Sequence, residues 1–240
     1  MTSAPTILFK DDTFLVITKP AGMIVNNADT ARTEYTLQQW IEDNYKLPKT
    51  SESDFAKRGG IVHRLDKDTS GALVVALTEE AFVGLQSQFK EKTVEKIYTA
   101  LCHGKIVEEG EINVPIGRLP WNRMRFGVIP QGRESFTKFK VRKFLTLVDG
   151  KRKEQLSLVD VFPQTGRTHQ IRVHFQYVGH PLFGDALYAG RKNIQFDRRF
   201  LQRHFLHASV LSFNHPTSHE RITCKSPLTK ELQIFLETLI

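Results

Sequence analysis

The sequence predicts an α+β fold built on a mixed, largely antiparallel β-sheet with flanking helices and loops. Short apolar runs rich in β-branched and aromatic residues recur between Gly, Pro, Asn and Asp, which is typical of strands. The helical patterns are scattered between these runs and do not alternate with them, which disfavours a parallel βαβ array. The 240 residues contain no repeat, low-complexity tract or long linker, so we expect a single domain over residues 1–240.

The N-terminal part of the chain predicts short strands followed by helices. The stretch "ILFKDDTFLVITKPAGMIV" contains apolar runs that Asp11 and Asp12 separate. Residues 36–47 place apolar side chains at helical spacing, whereas "PKTSESDFAKRGG" is polar and non-periodic and predicts a loop. A further helix is predicted to follow Thr78, a suitable N-cap, and to run to about Lys90.

The C-terminal part predicts more strands than helices. "EKIYTALCHG" reads as a strand, and residues 111–160 are rich in strands and turns. Thr168 is a suitable N-cap for a helix to about Val178, and residues 229–239 form an amphipathic pattern that predicts a closing helix. A basic patch lies in the strand-rich region around Arg118, Arg123, Arg125 and Arg133.

The charge balance is compatible with a nucleic-acid partner. The formal net charge is +8 and the isoelectric point is about 9.5. This is the electrostatic profile of a nucleic-acid binder, but a well-solvated cationic surface explains it equally well. The chain has two cysteines in no paired spacing, no signal-peptide pattern and no apolar run long enough to span a membrane. We therefore expect a cytoplasmic protein.

Metal and cofactor motifs are missing from the sequence. The nine histidines form no His-Glu-x-x-His motif and are accompanied by no Cys-x-x-Cys pair. No glycine-rich nucleotide-binding motif and no Gly-x-Ser-x-Gly elbow occurs. We therefore expect no metal and no nucleotide cofactor.

A charged turn interrupts two apolar runs in "GGIVHRLDKDTSGALVVAL". Asp68, Thr69, Ser70 and Gly71 already supply the hydrogen-bonding groups and the flexibility that a turn needs. Asp66 is one acid more than the turn requires, which favours a functional role. The alternative is that Asp66 is itself a turn residue that accepts hydrogen bonds from its neighbours.

A second polar segment, "PQTGRTHQIRVHFQYVGHPLFGDALY", combines a turn with the start of a predicted helix. Backbone N–H groups at a helix N-terminus bind anions, and Arg167 and Arg172 would reinforce such a site. The alternatives are that Thr168 is a simple cap and that Arg172 lies on a solvated helix face. Spacing alone favours the solvated face for Arg172.

These two segments carry a resemblance to a known family. "HRLDKDTSGALVVA" closely resembles the signature of the RluA-type pseudouridine synthases. "TKPAGMIV", "EKIYTALCHG", "TGRTHQIRVHFQYVGHPLFGD" and "LHASVLSFNHP" are similar to the family's other blocks and occur in the same order. The resemblance covers nearly the whole chain, from about residue 7 to the last helix.

The resemblance implies a reaction in which uracil is detached from C1′ of a uridine in RNA, turned, and rejoined through C5. Asp66 occupies the position of the family's catalytic aspartate. A carboxylate suits this step because cleavage builds positive charge at the anomeric carbon. Whether the aspartate attacks C1′ or C6, or removes a ribose proton, stays open at this stage.

Further site residues follow from the same resemblance. Tyr98 matches the tyrosine of the strand block, with an implied role in stacking on uracil and removing the C5 proton; the alternative is a buried strand aromatic. Arg172 matches an arginine that the family places beside the aspartate, where it favours the ionised carboxylate. Ile171 matches an apolar position that packs against the base, and Arg167 and His63 are expected to contact the substrate. The rearrangement is internal, so no cofactor is implied.

Arg64 is expected to assist extrusion of the target nucleotide. If residues 61–66 are extended, Arg64 and Asp66 share one face while Leu65 points into the core. The guanidinium could then fill the space that the flipped uridine leaves, by stacking on neighbouring bases or holding a phosphate. The alternative is that Arg64 only pairs with Asp68 or another nearby acid.

These residues predict a stand-alone enzyme: a single pseudouridine synthase-like catalytic domain with a basic RNA-binding cleft and no separate N-terminal RNA-binding domain. The expected partner is structured RNA, with ribosomal RNA slightly favoured over transfer RNA, and we expect a monomer that contacts no membrane. The rival hypothesis is a non-catalytic RNA-binding or ribosome-assembly factor on the same fold. Only the enzyme needs Asp66, Tyr98 and Arg172 together. A metal-dependent nuclease would need an acidic cluster that the sequence lacks.

Overall fold

The computed structural model describes residues 3–27, 34–47 and 53–240. It contains strands joined by hairpins and loops, with shorter helices between them, and the predicted α+β class is confirmed. The strands are β1 (Thr6–Lys10), β2 (Phe14–Lys19), β3 (Ser70–Ala76), β4 (Glu95–His103), β5 (Glu109–Asn113), β6 (Ile116–Leu119), β7 (Asn122–Val128), β8 (Phe136–Asp149), β9 (Arg152–Pro163), β10 (Leu206–Asn214) and β11 (Arg221–Lys225). The helices are α1 (Leu37–Asn44), α2 (Asp54–Lys57), α3 (Glu79–Glu91), α4 (Gln170–Tyr177), α5 (Arg191–Asp197) and α6 (Lys230–Glu237).

The chain forms two compact units. Unit 1 comprises Met1–Lys96 and Ala208–Pro227, and unit 2 comprises Ile97–His207 and Leu228–Ile240. The single catalytic domain over residues 1–240 stays a prediction.

Unit 1 is built on the strand order β1-β2-β3-β10, with β11 paired to β10. The pairs β1–β2, β2–β3 and β10–β11 are all antiparallel. Every residue of β3 is buried, which explains the unbroken apolar run "ALVVA" where a half-buried strand would alternate. Helix α3 packs Phe82 and Leu85 into the core, together with Phe14 of β2 and Phe213 of β10.

Unit 2 is built on the antiparallel order β4-β9-β8-β5. Strands β8 and β9 form its longest hairpin, and β6 and β7 form a separate two-stranded one. Helix α4 contributes Ile171 and Phe175 to a core shared with β4 and β9. Helix α6 contributes Leu232 and Phe235 to a second core.

The structure corrects the expected cap of α4. The helix begins at Gln170, and its N-cap is His169 in a left-handed conformation with φ 57°, not Thr168. The Gln170 side chain explains the difference, because its Oε1 accepts hydrogen bonds from the Arg167 N–H at 3.0 Å and from the Thr165 hydroxyl at 2.7 Å. The polar groups of the turn before α4 are therefore hydrogen-bonded by the side chain of Gln170, the first residue of the helix.

Other departures from the expected elements are local. The segment predicted as a loop after α1 includes the short helix α2, while its residues 48–52 lie outside the described residues. The segment 61–66 is not an extended strand: Ile61 makes an isolated bridge to Val75 and a bend follows at His63. Within the described residues, no helix is long and apolar enough to cross a membrane.

Gly71 fixes the end of the charged turn where it enters β3. Its φ of +123° is a conformation that L side chains rarely adopt, and an added Cβ would lie 2.3 Å from the Ala208 carbonyl oxygen. Since the contacting atoms belong to the backbone of β10, they cannot move aside as a flexible side chain would. Only glycine therefore allows β3 and β10 to approach this closely.

We expect Gly71→Ala to lower the free energy of unfolding by about 3 kcal/mol or more, because backbone strain and overpacking add. Gly166→Ala is the matched control, since its added Cβ would meet nothing within 4 Å and its φ lies outside the strained range. Urea unfolding of both variants measures the difference. Equal free energies of unfolding for the two variants would show that β10 can move away from β3 without loss of stability.

Candidate active site

The charged turn of unit 1 presents Asp66 at the protein surface. Asp66 is half-buried, Leu65 is buried with 5% exposure, and Arg64 is exposed. The Asp66 carbonyl accepts a hydrogen bond from the Thr69 N–H at 3.1 Å, which closes the turn. Side chains 64–66 thus alternate between solvent and core, as expected, although the segment is not a strand.

A buried lysine that the sequence analysis did not single out anchors this turn. Lys19 has no exposed surface, and its ammonium group donates to the carbonyls of Pro20 at 2.7 Å, Met23 at 2.8 Å and Lys67 at 3.0 Å. The Gly22 N–H donates to the same Lys67 carbonyl at 2.9 Å. Burying an ammonium is costly unless its donors are satisfied, so these carbonyls must stay in place. The lysine thereby fixes the backbone directly after Asp66.

His63 makes packing contacts on the other side of the turn. Its Nε2 accepts a hydrogen bond from the Val74 N–H at 3.1 Å, and its ring stacks on Phe89 with centroids 4.5 Å apart. Burial lowers the pKa of His63 to about 3, and the positive charges of Lys96 and Arg58 act in the same direction. The ring is therefore neutral, with its proton on Nδ1. A substrate contact of His63 stays a prediction.

Arg64 forms no ion pair or side-chain hydrogen bond within the described part of the chain. The neighbouring cation, Lys67, pairs with Glu34 at 2.6 Å. Pairing of Arg64 with Asp68, the alternative left open above, is not observed. The Arg64 guanidinium is therefore an exposed positive charge in the turn that carries Asp66.

In unit 2, Arg172 lies in the core and not on a solvated face. Its exposure is 5%, and its guanidinium pairs with Asp185 through Nε to Oδ2 at 2.7 Å and Nη2 to Oδ1 at 2.9 Å. Burial would raise the pKa of Asp185, but the hydrogen bonds and charge of Arg172 outweigh it and the pKa is lowered. Asp185 is fully buried and its Oδ1 also accepts from the Leu187 and Tyr188 N–H groups at 3.0 and 3.2 Å.

Tyr188 joins this ion pair to the β6–β7 hairpin. Its ring centroid lies 5.0 Å from Cζ of Arg172 and 5.3 Å from Cζ of Arg125. Its hydroxyl accepts a hydrogen bond from the Phe126 N–H at 3.0 Å and pairs with His169 Nδ1 at 2.9 Å. Burial raises the pKa of Tyr188, so the hydroxyl keeps its proton. Neither Asp185 nor Tyr188 was singled out from the sequence, although both lie in the quoted segment "GDALY".

The remaining predicted residues of unit 2 lie on or near α4 and β4. Ile171 is 6% exposed and packs in the core beneath α4. Arg167 is half-buried, and its Nε donates to the Glu134 carbonyl at 3.1 Å. Tyr98 is half-buried on β4, where it is the register partner of Val161 and packs against the same core as Ile171. Unit 2 thus contains Tyr98, Arg167, Ile171 and Arg172, and unit 1 contains the charged turn.

The match to a known protein family decides the family of this chain. Residues 13–177 match the family described as RNA pseudouridylate synthase. This range includes the charged turn, Tyr98 and Arg172.

The chain belongs to the RNA pseudouridine synthase family.

Several curated relatives of the family are similar along almost the whole chain. An uncharacterised RNA pseudouridine synthase of Bacillus subtilis, YlyB, is 38% identical over 97% of this chain and 72% of its own length. Ribosomal large subunit pseudouridine synthase D of Nitrosomonas europaea is also 38% identical, over 97% of this chain and 64% of its own length. The RluA-type resemblance is confirmed, and pseudouridine synthases are isomerases.

Solved structures of the family share the fold. Human RNA pseudouridylate synthase domain containing 1 superposes with a TM-score of 0.73 at 28% identity, covering 97% of this chain and 87% of its own. Human RNA pseudouridylate synthase domain containing 4 superposes with a TM-score of 0.72 at 21% identity, covering 98% and 94%. The second likeness concerns the fold alone.

In this pseudouridine synthase, a buried histidine supports the loop that carries Asp185. His103 Nε2 lies 2.9 Å from Oδ2 of Asp197, and that oxygen accepts the Gly184 N–H at 2.8 Å. His103 Nδ1 lies 3.2 Å from Oε1 of Glu154. Burial lowers the pKa of His103, but the hydrogen bonds and charges of Asp197 and Glu154 outweigh burial and raise it. Within the described residues, no cluster of His, Cys, Asp or Glu is suited to hold a metal ion.

We expect Asp185→Asn to lower the free energy of unfolding by about 3–5 kcal/mol, because it leaves the Arg172 charge buried without a counter-ion. Asp149→Asn is the matched control: it removes the partner of Arg199, which is 58% exposed, and should cost at most about 1 kcal/mol. Urea unfolding measures both losses.

The double variant Arg172→Met with Asp185→Leu separates stability from catalysis. It removes both charges, so we expect most of the lost stability to return. If Arg172 has the catalytic role proposed below, this folded variant should form no pseudouridine. A double variant as unstable as Asp185→Asn would show that the loss comes from the backbone contacts of Asp185.

Proposed function

We propose that this chain converts specific uridines of ribosomal RNA into pseudouridine, with Asp66 as the catalytic carboxylate. The observation that carries the proposal is the placement of Asp66 in a surface turn that buried Lys19 holds in place. Relatives that are named ribosomal large subunit pseudouridine synthase D support ribosomal RNA as the substrate. The enzyme is further proposed to be a cytoplasmic monomer.

The reaction needs no co-reactant. The bond between C1′ and N1 of the uridine breaks, a bond between C1′ and C5 forms, and the proton on C5 is exchanged for one on N1. Asp66 acts as a nucleophile at C1′ or C6, or as a base on the ribose. In each case the mechanism requires an ionised carboxylate at the start.

Tyr98 and Arg172 are proposed to complete the catalytic set. Tyr98 presents an aromatic face to uracil and a hydroxyl suited to remove the C5 proton. Arg172 supplies a positive charge whose orientation is fixed by its two hydrogen bonds to Asp185. Asp185 is therefore a positioning residue, since it acts through Arg172. Arg167 and Ile171 are proposed to contact the substrate, and Arg64 to assist extrusion of the nucleotide.

The test of the proposed function is Asp66→Asn, which keeps the shape of the side chain and removes its charge. We expect no detectable pseudouridine in transcribed large-subunit ribosomal RNA, while RNA affinity stays within a few-fold of wild type. Asp68→Asn is the matched control, because it makes the same change at an exposed position of the same turn. Tritium release from RNA labelled at C5 of uridine measures turnover, and filter binding measures affinity.

Two outcomes would contradict the proposal. Substantial product from Asp66→Asn would remove Asp66 from the mechanism. RNA binding by wild type without any pseudouridine would instead favour the non-catalytic RNA-binding or ribosome-assembly factor. Transfer RNA run beside ribosomal RNA in the same assay decides between the RNA classes.

The role of Arg64 is tested by comparing two substrates that contain the same uridine. We expect Arg64→Ala to lower kcat/KM strongly on a structured RNA and weakly on a short unstructured strand, because only the structured RNA must release a stacked base at a cost of a few kcal/mol. Lys67→Ala removes another exposed cation of the same turn and should affect both substrates alike. Equal losses of Arg64→Ala on both substrates would contradict a role in base extrusion.

A further inference from the structure

The β6–β7 hairpin ends in an exposed aromatic side chain. Leu119 and Asn122 are register partners, so Pro120 and Trp121 form the turn between the strands. Trp121 is 78% exposed and Met124 is 77% exposed, among the highest values for large apolar residues in the described ranges. The Asn122 side chain accepts the Met124 N–H at 3.1 Å and shapes the tip. The exposed indole needs an explanation, because a second large apolar side chain, Met124, is exposed on the same hairpin, whereas isolated exposed apolar residues are common.

The charges around the tip are of one sign. The segment Ile116–Val128 contains three arginines, Arg118, Arg123 and Arg125, and no Asp or Glu. Arg118 is exposed, and its Cζ lies 4.8 Å from the Phe126 ring centroid. The buried Nε of Arg125 has no hydrogen-bond partner within the described residues. Arginines that alternate with aromatic side chains, in a segment that has no acidic residue, are suited to bind a polyanion that also carries planar rings.

The base of the hairpin is anchored to Tyr188, whose ring lies against Arg172. The Phe126 N–H donates to the Tyr188 hydroxyl at 3.0 Å, and Ile116 packs with Val173 and Tyr188. Trp121 precedes Phe126 by five residues, which corresponds to about 16 Å along a strand at ~3.3 Å per residue. From this separation we infer that the tip contacts a different nucleotide from Arg172.

We propose that the hairpin tip is a second RNA contact, in which Trp121 stacks on an unpaired base that flanks the target uridine while Arg118 and Arg125 hold nearby phosphates. The inference rests on the proposed function, since it takes RNA as the substrate. Single-stranded RNA is the occupant because aromatic stacking with arginine contacts to phosphate is the usual mode of recognising unpaired bases. A protein partner would call for a larger apolar surface than one indole and one methionine.

The chain offers a direct reporter for this contact. It has two tryptophans, so Trp40→Phe leaves Trp121 as the single indole. We expect a short single-stranded RNA to quench the fluorescence of this variant, and a fully paired RNA duplex of the same length to quench it much less. No quenching by the single strand would overturn the inference.

Kinetics on the ribosomal RNA substrate provide the second test. We expect Trp121→Ala to raise KM about tenfold with kcat unchanged at saturation, the range that loss of one stacking contact predicts. Trp121→Phe should stay near wild type because it keeps a ring. Met124→Ala is the matched control, equally exposed at the same tip but without a ring, and should stay within about twofold. An unchanged KM for Trp121→Ala, or an equal loss in Trp121→Phe, would overturn the inference.

Failure of this inference is distinguishable from failure of the proposed function. If Asp66→Asn abolishes product while Trp121→Ala keeps full RNA affinity, the proposed function is supported and the hairpin contact is contradicted. If RNA quenches the fluorescence of Trp121 but wild type forms no pseudouridine, the hairpin contact is supported and the proposed function is contradicted.

Discussion

The buried ion pair between Arg172 and Asp185 is the constraint around which the functional part of unit 2 is organised. A guanidinium and a carboxylate with almost no exposed surface are stable only when their hydrogen bonds are satisfied. Asp185 meets this requirement with two bonds to Arg172 and two to backbone N–H groups of its own loop. Helix α4 and the loop that follows it therefore cannot shift independently.

The constraint extends in two directions from the pair. On one side, Asp197 accepts the Gly184 N–H, directly before Asp185, and is itself paired with His103. On the other side, the Tyr188 ring lies against Arg172 and its hydroxyl holds Phe126 of the β6–β7 hairpin. Sheet, helix, loop and hairpin meet at one pair of charges. Unit 1 also contains a buried charge that fixes a loop, since the ammonium group of Lys19 donates to the carbonyl of Lys67, the residue after Asp66.

The sequence analysis succeeded for the fold class and the family, where the signal was local. Asp66 was singled out because its turn already had the residues that a turn needs; the structure places it half-buried in that turn, and its functional role stays a prediction. Arg172 shows the opposite case. Its spacing favoured a solvated face, but the counter-ion lies 13 residues away, beyond the helix, and no periodicity marks that pairing. Lys19, Asp185 and Tyr188 were missed because a buried polar residue and a surface one look alike until their partners are known.

The sequence by itself determined the fold class, the family and the identity of the charged turn, because strand patterns, turn residues and ordered motifs are properties of neighbouring residues. The tertiary structure alone decided that the N-cap of α4 is His169 and not Thr168, that Lys19 and Arg172 are buried, and that Trp121 lies exposed in the turn of the β6–β7 hairpin. These features depend on contacts between residues far apart in the chain. A buried charge is tolerated only where such contacts satisfy it, so its position can be known only once the chain has folded.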